Sequence, residues 1–233
     1  MSKEEKGITR REAIKKIGGI TAGTVLGGMA LINSPVKGNK KVLASSTTKE
    51  FPWPYTEIDP ERARKLGHEG YYLGNCSSGA FYGILAALEE QAGEPYDQFP
   101  ITPPDNLLHF GGGGVAGAGL TCGALLGASA AVNLVTDSKN ANEIVAELIS
   151  WYKEAEIPSD TSNEYAKNHE FLVDEYKSDE VLTQTVADSA LCQDSVMNWM
   201  NETGESHGSS KRKERCARLT ADVVAKAVEL LNA

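Results

Sequence analysis

The sequence predicts an all-α protein, and three observations carry that reading. Apolar residues recur at helical spacings of three and four, as in Ile144, Val145, Leu148 and Trp151. Capping residues and glycines bracket those stretches where helices start and stop. No run alternates apolar and polar residues long enough to read as a strand, and no internal repeat is present.

The elements follow in chain order. Residues 1–44 read as an export signal. The pair Arg10-Arg11 with Lys15-Lys16 opens it, an uncharged run from Ile17 to Val36 follows, and Val42-Leu43-Ala44 offers a small-residue cut site. The arginine pair resembles a twin-arginine signal, a route that exports proteins after they fold, although Ala13-Ile14 stand where such signals usually carry Phe-Leu. Cleavage near Ala44 would leave one domain, residues 45–233, in an extracytoplasmic or periplasmic setting. Phe51-Pro52-Trp53-Pro54-Tyr55 is a Pro-stiffened entry. Asp59-Pro60 then starts a first helix over residues 61–72, which Gly74 ends. A second helix runs from Cys76 to about Gln91, closed by Gly93. Four prolines mark residues 93–105 as loop. A third helix of small residues is expected over 111–135, a fourth over 140–154, and two more near 189–202 and 210–232. The polar stretch 156–185, broken by Pro158, reads as partly helical at most. The expected architecture is therefore about six helices with long irregular loops. The charge-free stretch 110–136 is long enough to span a bilayer, but its Gly, Ala and Ser content reads as a closely packed buried helix.

Charge narrows the partners. The 233 residues carry a net charge of -9 and are 41% hydrophobic. The first forty-four hold nine Lys and Arg against three Asp and Glu, which leaves 14 basic and 29 acidic residues, a net of -15, from Ser45 onward. Nucleic acid is not the expected partner of so acidic a surface, whereas a basic redox protein is. Lys211-Arg212-Lys213 is a short basic run that reads as a solvated face, or as a dock for an acidic partner.

Four cysteines carry the chemistry: Cys76, Cys122, Cys192 and Cys216. None belongs to a Cys-x-x-Cys pair, so the local motifs of zinc ribbons, thioredoxin-type dithiols and c-type haem attachment are missing. Cys76 opens a helix, where the dipole favours a thiolate. Helical spacing places Cys122 among small residues inside the third helix. It puts Cys192 with Val196 and Trp199, and Cys216 with Leu219, Thr220 and Val223. Four inward thiols on separate helices admit several readings. They are buried small hydrophobes, two disulfides or a thiol–disulfide redox pair, or the ligands of a metal centre, an iron–sulfur cluster or a tetrahedral zinc ion.

The cysteine order resembles the redox-active family named for its C…GCAxxG…C…C pattern. Here it reads Cys76, then Cys122-Gly123-Ala124-Leu125-Leu126-Gly127, then Cys192 and Cys216. The middle element departs from the family form, with Thr121 before the cysteine and Gly123 before Ala124. The stretches Gly67-His68-Glu69-Gly70-Tyr71-Tyr72, Gly111 to Val115 and Arg215 to Asp222 look closer still to the exported branch that includes the split-Soret cytochromes c. The resemblance covers residues 51–232. It implies electron transfer, an iron–sulfur cluster on the four cysteines and a homodimer. The c-type haems of that branch are not expected here, because no Cys-x-x-Cys-His exists in the chain.

Two histidines complete the candidate set. His68 on the first helix and His109 before the glycine run would serve as axial ligands to a non-covalently bound haem, or as hydrogen-bond donors behind a cluster. A hydrogen-bonded structural role is the commoner fate of a lone histidine. His169 and His207 lie in polar surroundings and read as solvated. No nucleophile elbow, phosphate loop or His-Glu-x-x-His occurs, so an electron carrier is a better expectation than a catalyst.

Overall fold

The computed structural model describes residues 50–173 and 178–233, and the expected export signal lies outside the described residues. Seven α-helices are present among them: α1 Pro60–Leu73, α2 Cys76–Ala92, α3 Gly123–Val135, α4 Ser138–Glu154, α5 Asp160–Lys167, α6 Cys192–Thr203 and α7 Ser210–Asn232. A two-stranded antiparallel ribbon pairs β1, Glu156–Ile157, with β2, Thr185–Val186. The all-α expectation holds, with one helix more than expected. The extra helix, α5, sits in the polar stretch, where the Ser159 hydroxyl accepts from the Ser162 N–H and caps it.

Short polar side chains start most of the helices. Asp59 accepts from the Glu61 N–H and Pro60 takes the first position of α1. Asn75 caps α2 in a reciprocal box with Ser78, Asp137 caps α4, and Ser209 caps α7. Gly204 ends α6 in the left-handed conformation.

Helix α7 is the axis of the domain and packs against α1, α2, α3 and α4. It is therefore buried nearly all round from Ala217 to Ala225, and its charged residues Glu214, Arg215, Arg218 and Asp222 are buried with it. Three of the four find charged partners. Arg218 Nε donates to Glu214 Oε1 at 2.7 Å and its Nη1 to Asn163 Oδ1 at 2.6 Å. Asp222 pairs with Arg64 and accepts from the Ser162 hydroxyl at 2.6 Å. Helices α1 and α2 cross closely, because a Cβ at Gly79 would meet the backbone of Gly70 and Tyr71. The N-terminal segment is tied to the far end of α7 by Tyr55, whose hydroxyl donates to Asn232 Oδ1 at 2.5 Å.

The third helix corrects the expectation. It begins at Gly123, not at Gly111; a short 3-10 turn, His109–Gly111, and a tight loop over residues 112–122 precede it. Four glycines of that loop, Gly113, Gly114, Gly117 and Gly119, have positive φ, and so do Val115 and Ala116. That backbone cannot be helical. Cys122 is consequently the N-cap of α3 rather than a mid-helix residue. No helix among the described residues is long and apolar enough to cross a membrane.

Candidate metal centre

Three of the four cysteines stand at helix N-termini: Cys76 opens α2, Cys122 caps α3 and Cys192 opens α6. There the unpaired N–H groups and the helix dipole favour negative sulfur. Cys216 comes from the first half of α7. All four are free thiols; Cys122 is fully buried and the other three are half-buried.

A backbone clasp sets two of them. The segments 119–122 and 190–193 run antiparallel through a bridge between Thr121 and Leu191. The Cys122 N–H donates to the Ala190 carbonyl at 2.8 Å, and the Cys192 N–H to the Leu120 carbonyl at 2.6 Å. The Gln193 N–H reaches the Gly119 carbonyl at 3.0 Å, so the glycine loop caps α6. Cys76 joins from below. Its sulfur lies where a Cβ on Gly123 would be, and the Gly113 N–H is directed at it.

The four thiols lie within electrostatic range of one another. Burial pushes the Cys76, Cys122 and Cys192 thiols up, Cys192 to about 12, and the neighbouring thiols push further. Against this work the Tyr152 side chain and the first-turn N–H groups of Ala124 and Leu125 around Cys122, and the guanidiniums of Arg212 and Arg215 near Cys192. Three thiols raised in this way do not ionise together without a cation among them. Among the described residues no group of three or more His, Cys, Asp or Glu side chains is placed to hold a metal ion as they stand.

The polar groups around the thiols were not legible as site residues. Arg212, read as part of a solvated basic run, turns inward: its Nη1 lies 3.7 Å from Cys216 Sγ and its Nε donates to the His207 carbonyl at 2.7 Å. Tyr71 faces Cys216, Cys76 and Arg212, and burial raises its phenol. Tyr152 is fully buried on α4 and faces Cys122 and Ser195, yet its hydroxyl closes no hydrogen bond. Arg215 is fully buried next to Cys216; its Nη2 donates to Ser195 Oγ at 2.9 Å, and its Nε and Nη1 have no partner. A cleft of about 420 Å³ opens beside Cys192, between the glycine loop, Val196, Met197, Arg212 and His207. His207 therefore lines the mouth of a cleft at the centre.

The two histidines singled out from sequence are placed apart. His68 is buried, stacked on Phe171 at 3.7 Å, with Nε2 3.2 Å from Glu214 Oε1. It belongs to the Glu214–Arg218 network of α1 and α7. His109 is exposed, and its carbonyl accepts from Asn75 Nδ2 at 2.9 Å, so it braces the cap that precedes Cys76.

A family model described as "Putative redox-active protein (C_GCAxxG_C_C)" matches residues 74–230, a stretch that holds all four cysteines. The chain belongs to the C_GCAxxG_C_C family. Split-Soret cytochrome c of Desulfovibrio desulfuricans is 33% identical over 230 residues, which is 97% of this chain and 78% of that protein. The solved structure of that cytochrome from strain ATCC 27774, reported as containing a novel iron centre, is similar at a TM-score of 0.65 and 34% identity. The match covers 77% of this chain and 70% of the cytochrome. This C_GCAxxG_C_C protein thus shares fold and redox family with an iron protein. It lacks any Cys-x-x-Cys-His for covalent haem.

Proposed function

We propose that this protein transfers electrons through an iron–sulfur cluster held by Cys76, Cys122, Cys192 and Cys216. The observation that carries the reading is the convergence of four free thiols from four helices, three of them at helix N-termini. A thiolate donor set with backbone N–H groups aimed at the sulfurs suits such a cluster. When bound, the cluster supplies a one-electron couple. The chain's own part is to release the thiol protons on binding and set the local charge.

The resemblance to twin-arginine signals supports loading of the centre before export to an extracytoplasmic compartment. The net charge of -15 after Ala44 supports a basic partner protein. Anaerobic purification followed by iron and sulfide analysis tests the cluster. Iron with acid-labile sulfide, lost when Cys122 or Cys216 is replaced by serine, is the expected result. Colourless protein without iron, with thiols paired by oxidation, would mark a metal-free thiol protein instead.

A further inference from the structure

Among the described residues three guanidiniums are buried, and one is treated differently. Arg218 has Glu214, Asn163 and two main-chain carbonyls as acceptors. Arg64 has Asp222, Glu61 and two serine hydroxyls. Arg215 has the Ser195 hydroxyl alone, leaving Nε and Nη1 open, and among the described residues no carboxylate pairs with it. On the other side of Ser195 stands Tyr152, whose buried hydroxyl is equally open. Both residues border Cys122 or Cys192. A buried charge without counter-charge, beside a buried donor without acceptor, is costly in a fold that pairs its other buried guanidiniums. An anion among the thiols would answer both.

We infer that Arg215 and Tyr152 form a donor site for an inorganic sulfide of the centre, with Arg215 as the buried positive charge that offsets the thiolates. This rests on the iron–sulfur reading proposed above. Donors and positive charge favour the reduced, more negative state, so both residues raise the reduction potential. They act as positioning and tuning residues, not as ligands.

The test compares wild type with Tyr152→Phe, Arg215→Gln and Arg215→Lys by iron content, visible and EPR spectra, and redox titration. Arg215→Gln is expected to keep its iron and lose about tenfold in the equilibrium constant for reduction, a fall of about 59 mV for one electron. Arg215→Lys keeps the charge and should fall less. Tyr152→Phe, which removes only the hydroxyl that faces Cys122 and Ser195, should keep full iron with a lower potential and shifted EPR signals. If Arg215→Gln does not fold, Tyr152→Phe decides. Iron-loaded wild type with unmoved potentials and spectra in Arg215→Gln and Tyr152→Phe would overturn this inference and leave the cluster intact. Wild type without iron would overturn both.

Discussion

Gly127 presses against the main chain of Ser77: a Cβ there would overlap the Ser77 carbonyl oxygen and lie 3.0 Å from the Phe81 nitrogen. Ser77 follows Cys76 and Gly127 comes one turn and a half after Cys122, so this contact fixes how closely α2 and α3 bring their cysteines together. The obstacle is backbone, which cannot rotate away. Gly127→Ala is expected to cost about 2–3 kcal/mol and to lower the iron retained per chain. Gly208→Ala, where an added Cβ meets nothing, serves as the control. Urea unfolding midpoints of the two variants check this; equal midpoints would contradict it.

Glu214 links α7 to α1 through His68, Tyr72 and Arg218. Burial alone would raise its carboxyl; the hydrogen bonds from His68, Tyr72 and Arg218 outweigh that and hold it below the usual range. A depressed carboxyl stabilises the fold above its unfolded value of about 4.3, and the contribution is lost as pH falls through the lowered native value. Glu214→Gln should therefore be about 3 kcal/mol less stable at pH 7, and the gap should close below about pH 4. Parallel stability curves from pH 7 to pH 3 would show that Glu214 is not the group that titrates.

Caps and spacing made much of this legible. The Cys76 start of α2 and the Ser210–Asn232 limits of α7 were legible, and the structure shows the local side chains, Asn75 and Ser209, that cap them. The loop 111–122 does not, because an uncharged run of Gly and Ala looks alike as helix and as turn. Its path is set by the clasp to residues 190–193, about seventy positions away in sequence. Arg215 and Tyr152 escaped for a similar reason. Tyr152 follows Leu148 by one helical turn and could be placed on a buried face, but nothing local says that a thiol stands opposite. Arg215 carries a weak signal, its position beside Cys216, which a charged helix face masks.

Cys192 is the cysteine that lines the open cleft, whereas Cys122 is fully buried and Cys76 is covered by Gly123. In metal-free, reduced protein a small alkylating reagent should therefore label Cys192 first, which peptide mass mapping would show. Iron loading should protect all four. Labelling of Cys122 ahead of Cys192 would mean that the clasp opens in solution. Arg212→Ala, which widens the cleft beside Cys216, should speed the Cys192 reaction without exposing Cys122.

Gly123 offers a test of the centre that spares the packing of α3. Its missing side chain is the space that the Cys76 sulfur occupies, with the Gly111 carbonyl 2.8 Å from where a Cβ would sit. A methyl there has one flexible neighbour, the thiol, and that thiol is the atom the proposal needs in place. Rotating Cys76 away relieves the overlap with the sulfur, while the Gly111 carbonyl keeps the loop under pressure. Gly123→Ala should thus remain folded, with a stability loss of about 1–2 kcal/mol, yet bind substantially less iron than wild type. Circular dichroism and iron analysis on the same preparation separate the two effects. Full iron content in a folded Gly123→Ala protein would remove Cys76 from the ligand set and leave three cysteines to hold the centre.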